Sequence, residues 1–280
     1  MPDREKSEAS HSSDPKRWQS RAVLAVTLPL VGAYAVSRLI SGVSASVIVF
    51  SAAVSGGLAL AVTAARAGTL GATLTGALLA LALGFTPTPA HSALWPFIVA
   101  LALTLGASRL GKKRKQAQGT VEHGGRTAAQ VAANAGMAAL AGCFAARFGA
   151  LVSHLILTAA LVEMTADTLG SELGQLVPGS PRLLFRFQRV PPGTDGAISA
   201  GGTLAGFAGG AILSGVCMWA FAMTIEQSLT ALVAGVLGFA TDSVLGATLE
   251  RRGLLNNDAV NFLSTVTAAV FALLFAIQTK

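Results

Sequence analysis

Residues 151–172 read LVSHLILTAALVEMTADTLGSE, an apolar run from Leu151 to Leu169 that nevertheless carries Glu163 and Asp167 and is followed at once by Ser171 and Glu172. The run has the length of a bilayer-crossing helix, about 20 residues. Acids inside a bilayer are costly, and those retained there usually serve a site. Glu163, Asp167 and Ser171 recur at i, i+4 and i+8, which places them along one helical face, with Glu172 just beyond at the helix end. The stretch therefore predicts a membrane helix with a polar stripe rather than a soluble amphipathic helix.

The rest of the chain agrees. Of 280 residues, 52% are hydrophobic and only 12% charged, and the mean hydropathy is +0.63, too little polar surface for a soluble fold of this size. Further apolar stretches of spanning length run over Ala22–Leu39, Val43–Ala65, Gly68–Phe85, Ala93–Ala107, Thr127–Phe148, Ala197–Met223, Gln227–Leu249 and Ala259–Ile277. With Leu151–Leu169 they make nine. The runs are continuous and rich in Ala, Leu and Gly, whereas barrel strands alternate apolar and polar residues over about ten positions. The expectation is an all-α, polytopic membrane helix bundle of about nine transmembrane helices.

Orientation follows from the cations. If the nine spans alternate, 17 of the 20 Lys and Arg fall on the side of the N-terminus, leaving Arg38, Arg147 and Lys280 on the other. The positive-inside rule then places the N-terminus in the cytoplasm, with the cytoplasmic membrane of a prokaryote as the default location. The net charge of +7 is accounted for by loops beside anionic lipid, so the membrane is the expected partner and nucleic acid is not. Lys112–Lys113–Arg114–Lys115 serves most simply as a topology anchor. Residues 1–20 are expected to be a disordered cytoplasmic tail, and 21–280 a single transmembrane domain, with scaffold helices over 21–108 and motif-bearing helices over 124–280.

Several features are expected to be structural. Cys143 and Cys217 lie inside apolar spans, and the four histidines have no metal-ligand spacing. Gly202, Gly206 and Gly210 recur every fourth residue and form a ridge for close helix packing. Gly106, Gly111 and Lys112 match the start of a phosphate-binding P-loop, but Lys113 stands where Ser or Thr should follow, and a membrane helix precedes them in place of a strand.

Chemistry concentrates in the second half. Hard divalent cations take oxygen ligands, and Mg²⁺ commonly pairs one or two carboxylates with substrate phosphates. Glu163, Asp167, Glu172 and Asp242 are therefore candidate Mg²⁺ ligands. In Pro191–Pro192–Gly193–Thr194–Asp195–Gly196, followed by Ser199, the prolines fix the approach of a loop, the glycines permit close backbone access, and Asp195 can meet metal or phosphate. Arg126, Gln130 and Asn134 share one face at the start of span five. Asp242 and Ser243 lie in span eight, which ends in Glu250, and Asn256, Asn257, Asp258 and Asn261 open span nine. All of these fall on the cation-rich side.

Taken together, Gly124–Thr127 with Gln130, Val131 and Asn134, Asp167–Thr168 with Ser171, Glu172 and Gly174, Pro191–Gly196 with Ser199, Gly202, Thr203 and Gly206, Asp242–Ser243 with Leu245–Thr248, and Asn256–Asn257 with Val260 and Asn261 resemble the membrane family of domain of unknown function ninety-two, which includes plant phytyl-phosphate kinase. The resemblance runs from about Leu105 to the C-terminus in order. Glu250 stands where the family has Gln, and Ala135 separates Asn134 from Gly136 where the family tends to place Gly directly after the Asn.

The resemblance implies a phosphotransferase that moves a phosphoryl group, from CTP or another nucleoside triphosphate, onto a lipid-embedded prenyl or phytyl monophosphate. In that reading Asp167, Glu172, Asp195 and Asp242 are catalytic, with Asp195 on a second metal or the acceptor phosphate. Arg126 and Arg189 neutralise phosphate. Gln130, Asn134, Ser171, Gly193, Thr194, Gly196, Ser199, Ser243, Asn256, Asn257 and Asn261 contact substrate or nucleotide. The alternative is an ion-coupled transporter in which the intramembrane acids form a cation or proton path.

Overall fold

The computed structural model describes residues 16–111, 125–177, 179, 181–185 and 187–278. The first fifteen residues of the expected tail, the Lys112–Lys115 run and Arg186 lie outside them. The helices are α1 (Arg17–Ile40), α2 (Ala45–Ala64), α3 (Leu70–Gly84), α4 (Leu94–Arg109), α5 (Ala128–Leu140), α6 (Ala150–Gly174), α7 (Ala200–Phe221), α8 (Ile225–Leu245) and α9 (Asn257–Gln278). A 3₁₀ turn and one further α-turn carry α5 on to Phe148, and a π-turn over Gly246–Glu250 ends α8. Among the described residues seven helices are long and apolar enough to cross a membrane; α3 and α4, at 15 and 16 residues, are shorter.

Helix starts are written in short polar caps. Ser44, Thr69, Thr127, Ser199 and Thr224 each accept a backbone N–H from the first turn of α2, α3, α5, α7 and α8, satisfying donors that no helix pairs internally. α1 begins at Arg17, so residues 17–20 of the expected tail are helical. They are also held: the Gln19 amide donates to the Leu254 carbonyl at 2.9 Å, and Ser20 donates to Asp258 at 2.6 Å.

α6 is the axis of the bundle. Buried residues make up 83% of its apolar window, against 11% for α2, which stands at the edge. α5, α7, α8 and α9 pack around α6, and one continuous apolar core joins α1, α3, α4 and α5 to α6–α9. α6 and α7 approach closely through glycine. A methyl group on Gly202 would stand 2.7 Å from the Gly170 carbonyl oxygen, and one on Gly206 2.6 Å from that of Ala166. The glycine ridge is thus filled by the backbone of α6, as expected for small-residue packing between membrane helices.

Two ends result. At one, α2, α4, α6 and α8 finish while α1, α3, α5, α7 and α9 begin. At the other, Arg38 Nε donates to the Phe85 carbonyl at 3.1 Å and the His91 N–H to the Ala220 carbonyl at 2.9 Å. Between α6 and α7 at the first end sits a small antiparallel hairpin, β1 (Arg182–Leu183) on β2 (Ala197–Ile198), with Arg182 opposite Ile198 and Leu183 opposite Ala197.

Two outcomes test this architecture. Gly206→Leu forces a side chain into the α6 backbone and should destabilise the bundle by about 3 kcal/mol or more, the upper range for overpacking, measured as a lowered thermal midpoint in detergent. In a background with Cys143 and Cys217 replaced by Ser, Gln188→Cys and Ala90→Cys should react with an impermeant thiol reagent from opposite faces of the membrane, Gln188→Cys from the cytoplasmic one.

Candidate active site

A cleft of about 900 Å³ opens at the end of the bundle where α2, α4, α6 and α8 finish and α5, α7 and α9 begin. Three local features shape it. The first is the entry to α5: the Arg126 N–H donates to the Ala67 carbonyl at 3.1 Å and its carbonyl accepts from the Thr69 N–H at 3.0 Å. Gly125, at φ +76°, makes this possible, since a methyl group there would stand 3.1 Å from Gly68. Arg126 is thereby pinned to the α2–α3 turn.

The second is the loop before α7. Gly196, at φ +65°, lies directly on Gly246 and Ala247, and a side chain at Gly196 would overlap the Ala247 backbone. The loop carrying Asp195 is therefore seated on the π-turn of α8, where the Arg251 N–H reaches back five residues to the Gly246 carbonyl at 3.2 Å. π-turns of this kind are frequent at functional sites. The third is α6 itself, whose last two turns place Asp167, Ser171 and Glu172 along the cleft.

Asp167, Glu172, Asp195, Asp242 and Glu250 all line this one space. The side chains of Asp167 and Asp242 meet within hydrogen-bonding reach of each other. Both are acceptors when ionised, and two such groups repel unless a proton or cation lies between them. Asp242 Oδ2 is buried and has no donor among the described residues. Arg126 faces Asp167 closely enough to attract it, and Asp195 stands near Glu250.

Of the other expected residues, Gln130, Asn134, Ser171, Gly193, Thr194, Gly196, Ser199, Ser243, Asn257 and Asn261 also line the cleft. Several have part of their bonding capacity engaged. Gln130 Oε1 accepts from the Thr127 N–H at 2.7 Å in a capping box, Asn134 Nδ2 donates to the Gln130 carbonyl at 2.8 Å, Thr194 donates to the Pro191 carbonyl at 2.8 Å, and Ser199 caps α7. The N-termini of α5, α7 and α9 converge here, and helix N-termini favour anions.

Three expected residues are not brought to the cleft. Glu163 is one turn, about 6 Å of helix rise, deeper than Asp167. It is 1% exposed, with Oε1 accepting from Ser264 Oγ at 2.6 Å and Oε2 unpartnered among the described residues. Asn256 is committed elsewhere: Nδ2 donates to Ser20 Oγ at 2.9 Å and to the Lys16 carbonyl at 3.1 Å, while Oδ1 caps α9. Arg189 sits exposed on the hairpin, outside the cleft lining. Conversely, Arg66, Arg109 and Glu250 line the cleft. In the sequence, Arg66 and Arg109 entered only the count of cations on the N-terminal side, which is also the side of the acids.

Among the described residues no group of three or more His, Cys, Asp or Glu side chains is arranged to hold a metal ion. The full Glu163–Asp167–Glu172–Asp242 set is therefore not assembled. The oxygen-only donors and the orphaned Asp242 Oδ2 nevertheless fit a hard cation that takes one or two carboxylates and completes its shell with water and phosphate oxygens. Asp167 and Asp242 are the pair placed to do so.

The family model described as integral membrane protein DUF92 matches residues 55–269. Among curated proteins, the membrane protein MJ0933 of Methanocaldococcus jannaschii is 36% identical over 60% of this chain and 69% of its own length. The membrane protein sll0875 of Synechocystis is 36% identical over 63% of this chain and 69% of its own length. The chloroplastic protein VTE6 of Arabidopsis thaliana is 27% identical over 73% of this chain and 65% of its own length. No solved structure matches.

The Glu163–Ser264 pair yields a stability test. Ser264→Ala leaves Glu163 Oε1 without its donor and should cost about 1–3 kcal/mol, the penalty for an unsatisfied buried polar group. Glu163→Gln keeps an acceptor for Ser264 and should cost less. Thermal unfolding of the two variants in the same detergent ranks them.

Proposed function

Because this chain belongs to the integral membrane family DUF92, we propose that it is a Mg²⁺-dependent membrane kinase that transfers a phosphoryl group from CTP or another nucleoside triphosphate to a prenyl or phytyl monophosphate. The observation that carries the reading is the cleft itself, where five carboxylates, Arg66, Arg109 and Arg126, and three helix N-termini meet at one end of a membrane bundle. Support for the lipid substrate comes from the resemblance to a family that includes plant phytyl-phosphate kinase. The cation bias supports a cytoplasmic position for the cleft, where soluble nucleotide is available.

In this reading an oxygen of the lipid monophosphate attacks the γ-phosphorus, the bond to the β,γ-bridging oxygen breaks, and the nucleoside diphosphate leaves with that electron pair. The acceptor is already an anion, so no proton need be removed from it. Such reactions demand positioning and charge neutralisation above all. Asp167 and Asp242 would hold a divalent cation that supplies neutralisation of phosphate oxygens. Arg126, fixed by the α2–α3 turn, neutralises a further oxygen; Asn134 and Asn261 hydrogen-bond phosphate or nucleotide; Asp195 orients the acceptor from the glycine loop.

A carrier is the second reading, favoured by one observation: Glu163 is buried deep in the bundle with an unpartnered oxygen, as a proton-relay acid would be. One assay separates the two. Detergent-solubilised protein given farnesyl or phytyl monophosphate, each nucleoside triphosphate and Mg²⁺ should form the diphosphate, detected by mass spectrometry. Asp167→Asn should fold and lose at least ~100-fold in rate, the scale for removal of one electrostatic group from an active site. No diphosphate with any nucleotide, together with proton or cation flux in proteoliposomes that Asp167→Asn abolishes, would establish the carrier.

A further inference from the structure

The polar cleft accounts for the head of an amphiphilic substrate and leaves its tail without a seat. The glycine ridge of α7 cannot take it, because the α6 backbone already fills that groove. A second cavity of about 70 Å³ lies among α2, α3, α4 and α5. Leu58 and Val62 of α2, Gly76 of α3, Leu101 of α4 and Val131 of α5 line it, and Met164, one turn from Asp167, joins them from α6. Ala67, Leu105, Arg126 and Asn134 line both this crevice and the cleft. The two spaces therefore meet at the cation and the amide that stand beside the carboxylates.

Resting on the lipid-phosphate reading above, the geometry points to this crevice as the seat of the first isoprenoid unit of the substrate, with the remaining tail continuing between α2 and α4 into the bilayer. Three observations commit the site to that occupant. The lining is apolar while its mouth carries Arg126, which suits a chain whose only charge is at one end. The crevice is small, about 70 Å³ against about 900 Å³ for the cleft, so it takes the start of a chain and not a whole prenyl tail. α2, which forms one wall, is the least buried of the long apolar helices and leaves Leu60 73% and Val49 67% exposed, so hydrocarbon beyond the crevice passes into lipid. The crevice thus reads the branched unit next to the phosphate and leaves tail length unmeasured.

The test uses the full chain in detergent and a farnesyl monophosphate analogue with a diazirine in its first isoprene unit. After irradiation, peptide mass spectrometry should find adducts on α2–α5 crevice residues, suppressed by excess farnesyl monophosphate and unaffected by farnesol. Gly76→Leu should cut the adduct yield about tenfold, the scale of one overpacked side chain, while Gly76→Ala, whose methyl group would sit 3.8 Å from Val131 Cγ1, should keep it. Leu101→Trp, required to elute as a single species, blocks the same space from the opposite wall. Adducts on α7, α8 or α9, no phosphate-dependent adducts, or full labelling in both blocking variants would overturn the inference. Labelling needs no transfer step: crevice adducts in a protein that makes no diphosphate sink the kinase and keep the crevice, and diphosphate formation with adducts elsewhere does the reverse.

Discussion

The contact between α6 and α7 through bare glycine is the constraint on which the rest depends. α6 carries Glu163 and Asp167 through the interior of a membrane protein, and neither acid is tolerable against lipid. Both must be enclosed by other helices, which requires neighbours close enough to shut out hydrocarbon. Gly202 and Gly206 let α7 rest on the carbonyls of Gly170 and Ala166, and Gly238 lets α8 approach so near that a methyl group there would stand 2.8 Å from Glu163 Cγ. A bulkier residue at any of these points would open the sheath around α6. The glycines and the acids are therefore one feature: small residues on α7 and α8 are what allow carboxylates on α6.

Enclosure also divides the labour between the two acids. Glu163 lies deep enough that its one donor, Ser264, comes from α9, so it ties α6 to α9. One turn nearer the helix end, Asp167 lines the cleft with Asp242 and Arg126. Helix polarity then organises the cleft. The C-termini of α6 and α8 bring the acids and suit a cation, whereas the N-termini of α5, α7 and α9 bring the positive ends of helix dipoles and suit phosphate. A bundle whose helices alternate in direction supplies both kinds of end on the same face without any dedicated loop domain.

Much of this was legible in the chain. Continuous apolar runs matched nine helices among the described residues, with boundaries displaced by only a few residues; seven of them reach the length that bilayer thickness imposes, and α3 and α4 are shorter. The i, i+4 spacing placed Glu163 and Asp167 on one face but carried no information about depth, and depth is what separates a packing acid from a cleft acid. Asn256 looked like a site residue, yet its partners, Lys16 and Ser20, lie about 240 positions away in sequence, a pairing no local pattern encodes. The π-turn was equally hidden: Gly246–Glu250 has ordinary helical composition, and its significance comes from Gly196 pressing against it from another segment. Of the two-residue strands that set the arm of that loop, Arg182–Leu183 was read as connection and Ala197–Ile198 as the start of the seventh span, which as a helix begins only at Ala200.

Arg126 shows how a single position links the fold to the chemistry. Its backbone is fixed by hydrogen bonds to Ala67 and Thr69, so the α2–α3 turn, far from the acidic motifs in sequence, decides where the guanidinium stands. The same residue borders both the polar cleft and the apolar crevice, and a cation at such a boundary can meet a phosphate only where the attached hydrocarbon already has a place to go. Helices α1–α4 are consequently more than a scaffold. α2, α3 and α4 line the apolar crevice together with α5 and α6, Arg66 and Arg109 reach the polar cleft, and crevice and cleft meet beside the short stretch in which Gly125 lets the chain turn tightly enough to lie against Gly68.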